Sequence, residues 1–112
     1  MIDFPYPFAR VVRIPMPAAT FSNWLDCTSG HYKKIRDYEP VQKVVLVKSI
    51  EPPESPTINV FCYIFFANQA DLTMYMKIKD EEQLGADYQA CVDPLMLPEN
   101  PVAMNIDYSQ QF

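Results

Sequence analysis

The chain has 112 residues, of which 49% are hydrophobic and 21% are charged, and its formal net charge is −5. This length predicts one domain over residues 1–112 with one core, and the composition excludes an intrinsically disordered chain. Polar residues interrupt every apolar stretch before it reaches the roughly 20 residues that a bilayer requires, so we predict no membrane span.

The charges are unevenly distributed. Residues 1–56 carry seven Lys or Arg and six Asp or Glu, whereas residues 57–112 carry two Lys and eight acids. Seven of these acids follow Lys79, after which there is no basic residue. Phosphate binding requires Lys and Arg, so the acidic third argues against direct binding of nucleic acid and favours a protein partner with a basic surface.

The three cysteines and the N-terminus indicate a cytoplasmic protein. The first residues, Met1–Pro5, lack the basic and continuous apolar regions of a signal peptide. An odd number of cysteines fits a reducing compartment.

The N-terminal third predicts an arm, a strand and a helix. Alternating prolines and aromatic residues predict an extended arm at 1–8, and Val11, Val12 and Ile14 predict a strand at 9–16. A helix at about 17–28 follows, because Phe21, Trp24, Leu25 and Thr28 share one helical face. Gly30 is the predicted stop, although the three-residue spacing of Tyr32, Ile35 and Tyr38 leaves a short helical extension open.

Two apolar runs at about 42–50 and 57–66 predict the central antiparallel pair of a sheet. A proline-rich linker separates them. We call the second run the aromatic strand. One of its faces carries Phe61, Tyr63 and Phe65, and the other carries Val60, Cys62, Ile64 and Phe66. One layer of helices cannot cover both faces, which favours oligomerisation or a partner interface.

The segment 68–78 is ambiguous between strand and helix. Leu72, Met74, Met76 and Ile78 alternate with polar residues, which favours a strand, while Asn68 and Asp71 could cap a helix. Asp80 and Gln83 resemble a capping box that starts a helix at about 81–92. A proline-rich loop at 94–101 then precedes a short last strand at about 102–108, expected at a sheet edge.

The predicted fold is α+β, with a small antiparallel sheet of four to five strands, two helices packed on it and the order βα-βββ-αβ. If 68–78 is a helix, the order becomes βαββαβ, which resembles the ferredoxin-like fold of many small dimeric α+β barrels. That resemblance implies relatives such as cofactor-free monooxygenases and polyketide cyclases. No catalytic residue of those families can be matched to a position in this sequence.

The sequence offers little chemistry. His31 is the one histidine and therefore the one candidate for a histidine general base. The spacing of His, Cys and acidic residues predicts no metal site, and two glycines exclude a glycine-rich phosphate loop, so we expect no cofactor. The thin catalytic inventory favours a protein that is not an enzyme.

The first functional hypothesis is a small acidic protein-binding module, either an inhibitor or an adaptor, with mimicry of nucleic acid as a variant. Aromatic anchors with a charged rim are typical of such interfaces. Its binding residues would be Phe61, Tyr63, Phe65, Asp80, Glu81, Glu82 and Asp87.

The alternative hypothesis is a cofactor-free small enzyme or ligand-binding protein of the dimeric α+β barrel type. A third is a structural subunit that buries its two-sided apolar strand by self-association, for example as a homodimer. The pocket of the alternative would be lined by Trp24, His31, Tyr63, Met74, Tyr75 and Met76.

Overall fold

The computed structural model describes residues 7–98 and 101–107. Within these ranges the order of elements is β1 (Phe8–Pro17), α1 (Phe21–Arg36), β2 (Lys43–Lys48), β3 (Thr57–Phe66), α2 (Gln69–Glu81), α3 (Leu84–Val92) and β4 (Val102–Asp107). Short 3-10 turns at Ala18–Thr20 and Asp93–Leu95 complete it. Most of the predicted arm at 1–8 lies outside the described residues, and Phe8 already belongs to β1.

The four described strands form one antiparallel sheet in the order β2-β3-β1-β4. The predicted pairing of β2 with β3 is confirmed, with Val45 opposite Tyr63, and β4 is an edge strand as expected. The central pair, however, is β3 with β1, which align over their full lengths from Phe8 opposite Phe66 to Pro17 opposite Thr57. The central position of β3 explains why it is apolar on both sides.

All three helices pack on one face of the sheet, which we call the helix face. Trp24 and Ile35 of α1, Tyr75 of α2, and Leu84 and Val92 of α3 are buried there against the sheet. The sheet contributes Ile14, Met16, Val60, Cys62, Ile64 and Phe66, which alternate along β1 and β3. The predicted α+β class is therefore confirmed, in its ferredoxin-like form.

Helix α1 is longer than predicted and runs through Gly30 to Arg36. Gly30 does not adopt a positive φ, and it costs the helix only about 1 kcal/mol relative to alanine. The turn beyond it buries Ile35, which is 2% exposed against Cys62 and Ile64. This packing outweighs the local preference of glycine to end a helix.

Segment 69–81 is a helix, so the preferred strand at 68–78 and the order βα-βββ-αβ are wrong. Asn68 lies at the N-cap with extended backbone, and its side-chain oxygen accepts a hydrogen bond of 2.8 Å from the backbone N–H of Asp71. Helical spacing then directs Leu72, Tyr75 and Met76 towards the core. The apolar residues of this segment fit the period of a strand as well as that of a helix, and the N-cap at Asn68 favours the helix.

The predicted capping box at Asp80 and Gln83 is also wrong. Asp80 lies in the last turn of α2, and the backbone N–H of Gln83 donates to the carbonyl of Asp80 in a turn. Gln83 has a φ of 53°, and no side chain caps α3 there. The helix predicted at about 81–92 begins instead at Leu84, as α3, and α2 takes the place of the predicted strand, so the described ranges hold three α-helices rather than two.

The outer face of the sheet points away from the helices. Val47, Val102 and Met104 lie on this face and are 44%, 46% and 55% exposed. Tyr63 and Phe65 of the aromatic strand stack there with ring centroids 5.8 Å apart. The alternation predicted for β3 therefore holds, and its two sides face different environments.

Candidate ligand-binding pocket

A cavity of about 220 Å³ lies between the helix face of the sheet and the helices. Its buried floor is formed by Cys62 and Ile64 of β3 together with Tyr75 and Leu84 of the helices. Its other lining residues are Arg10, Val12, His31, Tyr32, Ile35, Lys79, Gly85, Tyr88, Gln89, Pro101 and Ala103. A cavity of about 150 Å³ can hold one benzene ring, so this one has room for one ring with substituents.

Two cations line the pocket. Arg10 occupies the helix face of β1, where its Nη1 donates to the side-chain oxygen of Asn105 on β4 at 3.3 Å and contacts the Met76 sulfur at 3.6 Å. Lys79 lies one helical turn after Met76 on α2, so the two side chains are neighbours on the helix surface. Arg10 and Lys79 therefore line the same cavity from β1 and α2, and the Lys79 Nζ lies 3.6 Å from the position that a Cβ at Gly85 would occupy.

His31 projects into the pocket from α1. Burial lowers the pKa of its imidazole, the Asp87 carboxylate acts in the opposite direction, and the Lys34 ammonium lowers it further. The ring lies beside two phenols, with centroids 5.2 Å from Tyr32 and 5.6 Å from Tyr88. A neutral imidazole can accept a proton, so His31 is suited to the role of general base.

Three tyrosines line the same space, and their hydroxyls stay protonated near neutral pH. Burial raises the pKa of Tyr75 and of Tyr88 to about 12, and it raises the pKa of Tyr32 further. The Tyr88 oxygen accepts a hydrogen bond of 3.1 Å from the buried Trp24 Nε1, which leaves its own proton to donate. Burial also raises the pKa of the Cys62 thiol to about 12, so that group is a poor nucleophile.

Of the residues predicted for the pocket of the alternative hypothesis, some line the cavity and the others lie outside it. His31 and Tyr75 line the cavity, while Met76 lies next to it in contact with Arg10. Trp24 is fully buried behind Tyr88. Met74 is 51% exposed on α2, and Tyr63 lies on the outer face of the sheet.

The residues predicted for a protein interface do not form one surface. Phe61, Tyr63 and Phe65 lie on the outer face of the sheet, whereas Asp80, Glu81 and Glu82 lie at the end of α2 in the helix layer. Asp87 also belongs to the helix layer, on α3, 3.8 Å from the Lys34 ammonium. The aromatic and acidic halves of the predicted interface are therefore on opposite sides of the sheet.

Sequence reasoning missed Arg10, Tyr32, Lys79 and Tyr88 as pocket residues. A pattern that points to Arg10 exists, because it is the one charged residue among the alternate positions Phe8, Arg10, Val12, Ile14 and Met16 of β1. A cation in an otherwise apolar, inward-facing row indicates a functional site. Lys79 and Tyr88 have no comparable local pattern.

No groups of three or more His, Cys, Asp or Glu side chains that could hold a metal ion are found in residues 7–98 and 101–107. In the same ranges no helix is long and apolar enough to cross a membrane. The cysteines Cys27, Cys62 and Cys91 are free thiols.

No protein-family model matches the sequence, and no curated protein matches it as a relative. Solved structures share its fold. A monooxygenase from the gene ActVA-Orf6 of Streptomyces coelicolor, in complex with the ligand Nanaomycin D, superposes with a TM-score of 0.66 at 14% identity, covering 96% of this chain and 91% of that one. A candidate antibiotic biosynthesis monooxygenase from Nitrosomonas europaea has a TM-score of 0.61 at 11% identity and 94% and 99% coverage.

A dimeric protein of unknown function with a ferredoxin-like fold, from Bacteroides fragilis, has a TM-score of 0.56 at 12% identity, covering 93% of this chain and 99% of that one. These neighbours overturn the prediction of an acidic protein-binding inhibitor or adaptor. They share the ferredoxin-like fold on which the alternative hypothesis rests.

Proposed function

We propose that this chain binds a small phenolic compound in the pocket on the helix face and that His31 accepts the phenolic proton. The observation that carries this proposal is the position of a half-buried imidazole beside Tyr32 and Tyr88 in a cavity of about 220 Å³. The cavity has space for one substituted ring, and the tyrosine rings offer aromatic surfaces to it.

The chemistry follows from the protonation states. Burial lowers the pKa of His31, so its ring is neutral near neutral pH, and the phenolate formed beside it would supply the counter-charge that lets the ring hold the phenolic proton. The Tyr88 hydroxyl, which keeps its own proton, can donate a hydrogen bond to the oxygen that becomes negative. A phenolate is more electron-rich than a phenol, which fits the monooxygenase chemistry named for the Streptomyces neighbour.

The test uses 4-nitrophenol, which is yellow only as its anion. We expect the protein to raise the yellow absorbance at a pH where most of the free compound is protonated. The variant His31→Gln should bind the compound without this increase, while Tyr38→Phe, which changes a phenol outside the pocket, should behave as the unchanged protein. An equal increase with His31→Gln would exclude His31 as the proton acceptor.

Oxygen uptake separates an enzyme from a binding protein. Consumption of oxygen in the presence of a bound hydroquinone, lost in His31→Gln, would support a monooxygenase reaction. Binding without oxygen uptake would support a ligand-binding protein instead. That the chain needs neither metal nor cofactor stays a prediction, and dialysis against a chelator before the assay tests it.

We also infer that the protein is cytoplasmic, because Cys27, Cys62 and Cys91 are free thiols.

We further infer a homodimer in which two sheets pack through their outer faces. Exposed Val47, Val102 and Met104 provide an apolar outer face, and the Bacteroides neighbour is dimeric. Light scattering should give twice the chain mass, and Met104→Glu should reduce it to one chain. Met74→Glu, a similarly exposed methionine on α2, is the matched control. A monomer at all concentrations would overturn this inference.

A further inference from the structure

The two cations of the pocket have no acidic partner in the described part of the chain. The salt bridges found there use Lys34, Arg36 and Lys77 instead. Arg10 is bonded to a neutral amide oxygen and contacts a thioether sulfur, which together satisfy few of the five N–H donors of a guanidinium. A positive group that is partly removed from water without a counter-charge is costly, so a bound anion would relieve this cost.

The other described residues of the lining add no negative charge. None of the fifteen described residues around the cavity is Asp or Glu, and burial keeps the tyrosines and Cys62 protonated. The Arg10 guanidinium acts on two other lining residues, since it lowers the pKa of Cys62 and of Tyr75 against the larger effect of burial. The described lining of the cavity therefore carries two cations, Arg10 and Lys79, and no carboxylate.

Two acids of the helix layer form ion pairs with exposed lysines, although the Asp87 carboxylate also acts to raise the pKa of His31. Glu81 lies 3.9 Å from the Lys77 ammonium on the exposed side of α2, and Asp87 lies 3.8 Å from Lys34. Lys77 and Lys79, two positions apart on the helix, point in different directions, and Lys79 alone lines the cavity. Arg13 is similarly separated from Arg10, because the two lie on opposite faces of β1 and Arg13 donates to Asn59 at 3.2 Å.

We propose that the ligand of this pocket carries a carboxylate, which Arg10 from β1 and Lys79 from α2 hold together while the aromatic ring extends towards His31 and Tyr88. This assignment rests on the proposed function and narrows it from phenols in general to hydroxyaryl carboxylates. A guanidinium offers two parallel N–H donors to a carboxylate, and the ammonium adds a point charge.

The experiment compares two compounds of the same shape, 4-hydroxybenzoate and 4-hydroxybenzamide, by titration calorimetry on the full chain. We expect the carboxylate to bind at least about tenfold more tightly than the amide, as hydrogen bonds to charged groups contribute more than neutral ones. The variants Arg10→Gln and Lys79→Gln should each remove most of this preference while leaving binding of the amide nearly unchanged.

Two matched variants serve as controls. Arg13→Gln and Lys77→Gln remove the same charges from the same strand and helix but outside the pocket, and both should keep the tenfold preference. Melting temperatures of all four variants establish that they are folded. The conservative variant Arg10→Lys should retain part of the preference that Arg10→Gln loses, because it keeps the charge and loses the paired donors.

The outcomes distinguish this inference from the proposed function. If the amide binds as tightly as the carboxylate, or if Arg13→Gln weakens the carboxylate as much as Arg10→Gln does, the carboxylate site is refuted and phenol binding stands. If neither compound binds and 4-nitrophenol does not bind either, the proposed function itself fails.

Discussion

The hydrogen bond between Trp24 and Tyr88 gives the sharpest stability prediction. Trp24 is fully buried, and its Nε1 donates to the Tyr88 oxygen at 3.1 Å. The variant Tyr88→Phe keeps the ring and removes the acceptor, which leaves a buried indole N–H without a partner. That loss costs about 1–3 kcal/mol, and we expect about 1–2 kcal/mol because water in the adjoining cavity can replace part of the bond.

The assay is urea unfolding followed by the fluorescence of Trp24, the one tryptophan of the chain. The midpoint should fall with an unchanged slope, and the melting temperature should fall by about 4–8 °C for a chain of this size. Tyr38→Phe is the matched control, since Tyr38 packs on the neighbouring hydrophobic cluster around Ile35 and Phe66 and its hydroxyl makes no hydrogen bond to the described residues. If Tyr88→Phe loses no more stability than this control, the hydrogen bond does not contribute to folding.

Three further predictions concern capping and pH. Asn68→Ala should destabilise α2 by about 1 kcal/mol in a thermal melt followed by circular dichroism, whereas the exposed Asn23→Ala should change little; equal losses would refute the cap at Asp71. Because the pKa of Tyr75 and of Tyr88 rises from 10.0 to about 12 in the folded chain, the unfolded chain releases these protons first, so stability should decrease as the pH rises from about 10 to 12 and decrease less in Tyr88→Phe. The lowered pKa of His31 has the opposite consequence: the unfolded chain takes up this proton first, so stability should decrease as the pH falls below 6.5, and His31→Gln should remove that part of the dependence.

The sequence predicted the sheet better than the helices because β-branched and aromatic residues dominate β1, β2 and β3, and prolines separate these runs from one another. The apolar residues of segment 72–78 fit both the two-residue period of a strand and the 3.6-residue period of a helix. Leu72 and Met76, for example, belong to the alternating row and are also four residues apart. The N-cap at Asn68 favours the helix over the strand, and the sequence already offered this cap as the alternative. The predicted end of α1 at Gly30 was wrong for another reason. The helix continues because Ile35 is buried against β3, and no local pattern in the sequence reveals these contacts.

The pocket was harder to predict than the fold because its residues are distant in sequence. Arg10 contacts Met76 across 66 positions, and Trp24 bonds to Tyr88 across 64. Only the topology brings β1, α1, α2 and α3 around one cavity. His31 and Tyr75 could be proposed as pocket residues from their chemistry alone. Lys79 and Tyr88 could be assigned to the pocket only once the bounds of α2 and α3 and their packing on the sheet were known.

The distribution of charge explains why the acidic composition did not indicate the function. Net charge counts all groups equally, whereas a bound ligand responds mainly to the charged groups that line its pocket, which solvent screens least. The acids at positions 80–82 are exposed, and solvent and salt screen them, so they bear on solubility more than on a ligand in the pocket. Lys79 lies directly before these acids in the sequence, yet it lines the cavity with Arg10. The pocket is therefore positive inside a protein of net charge −5.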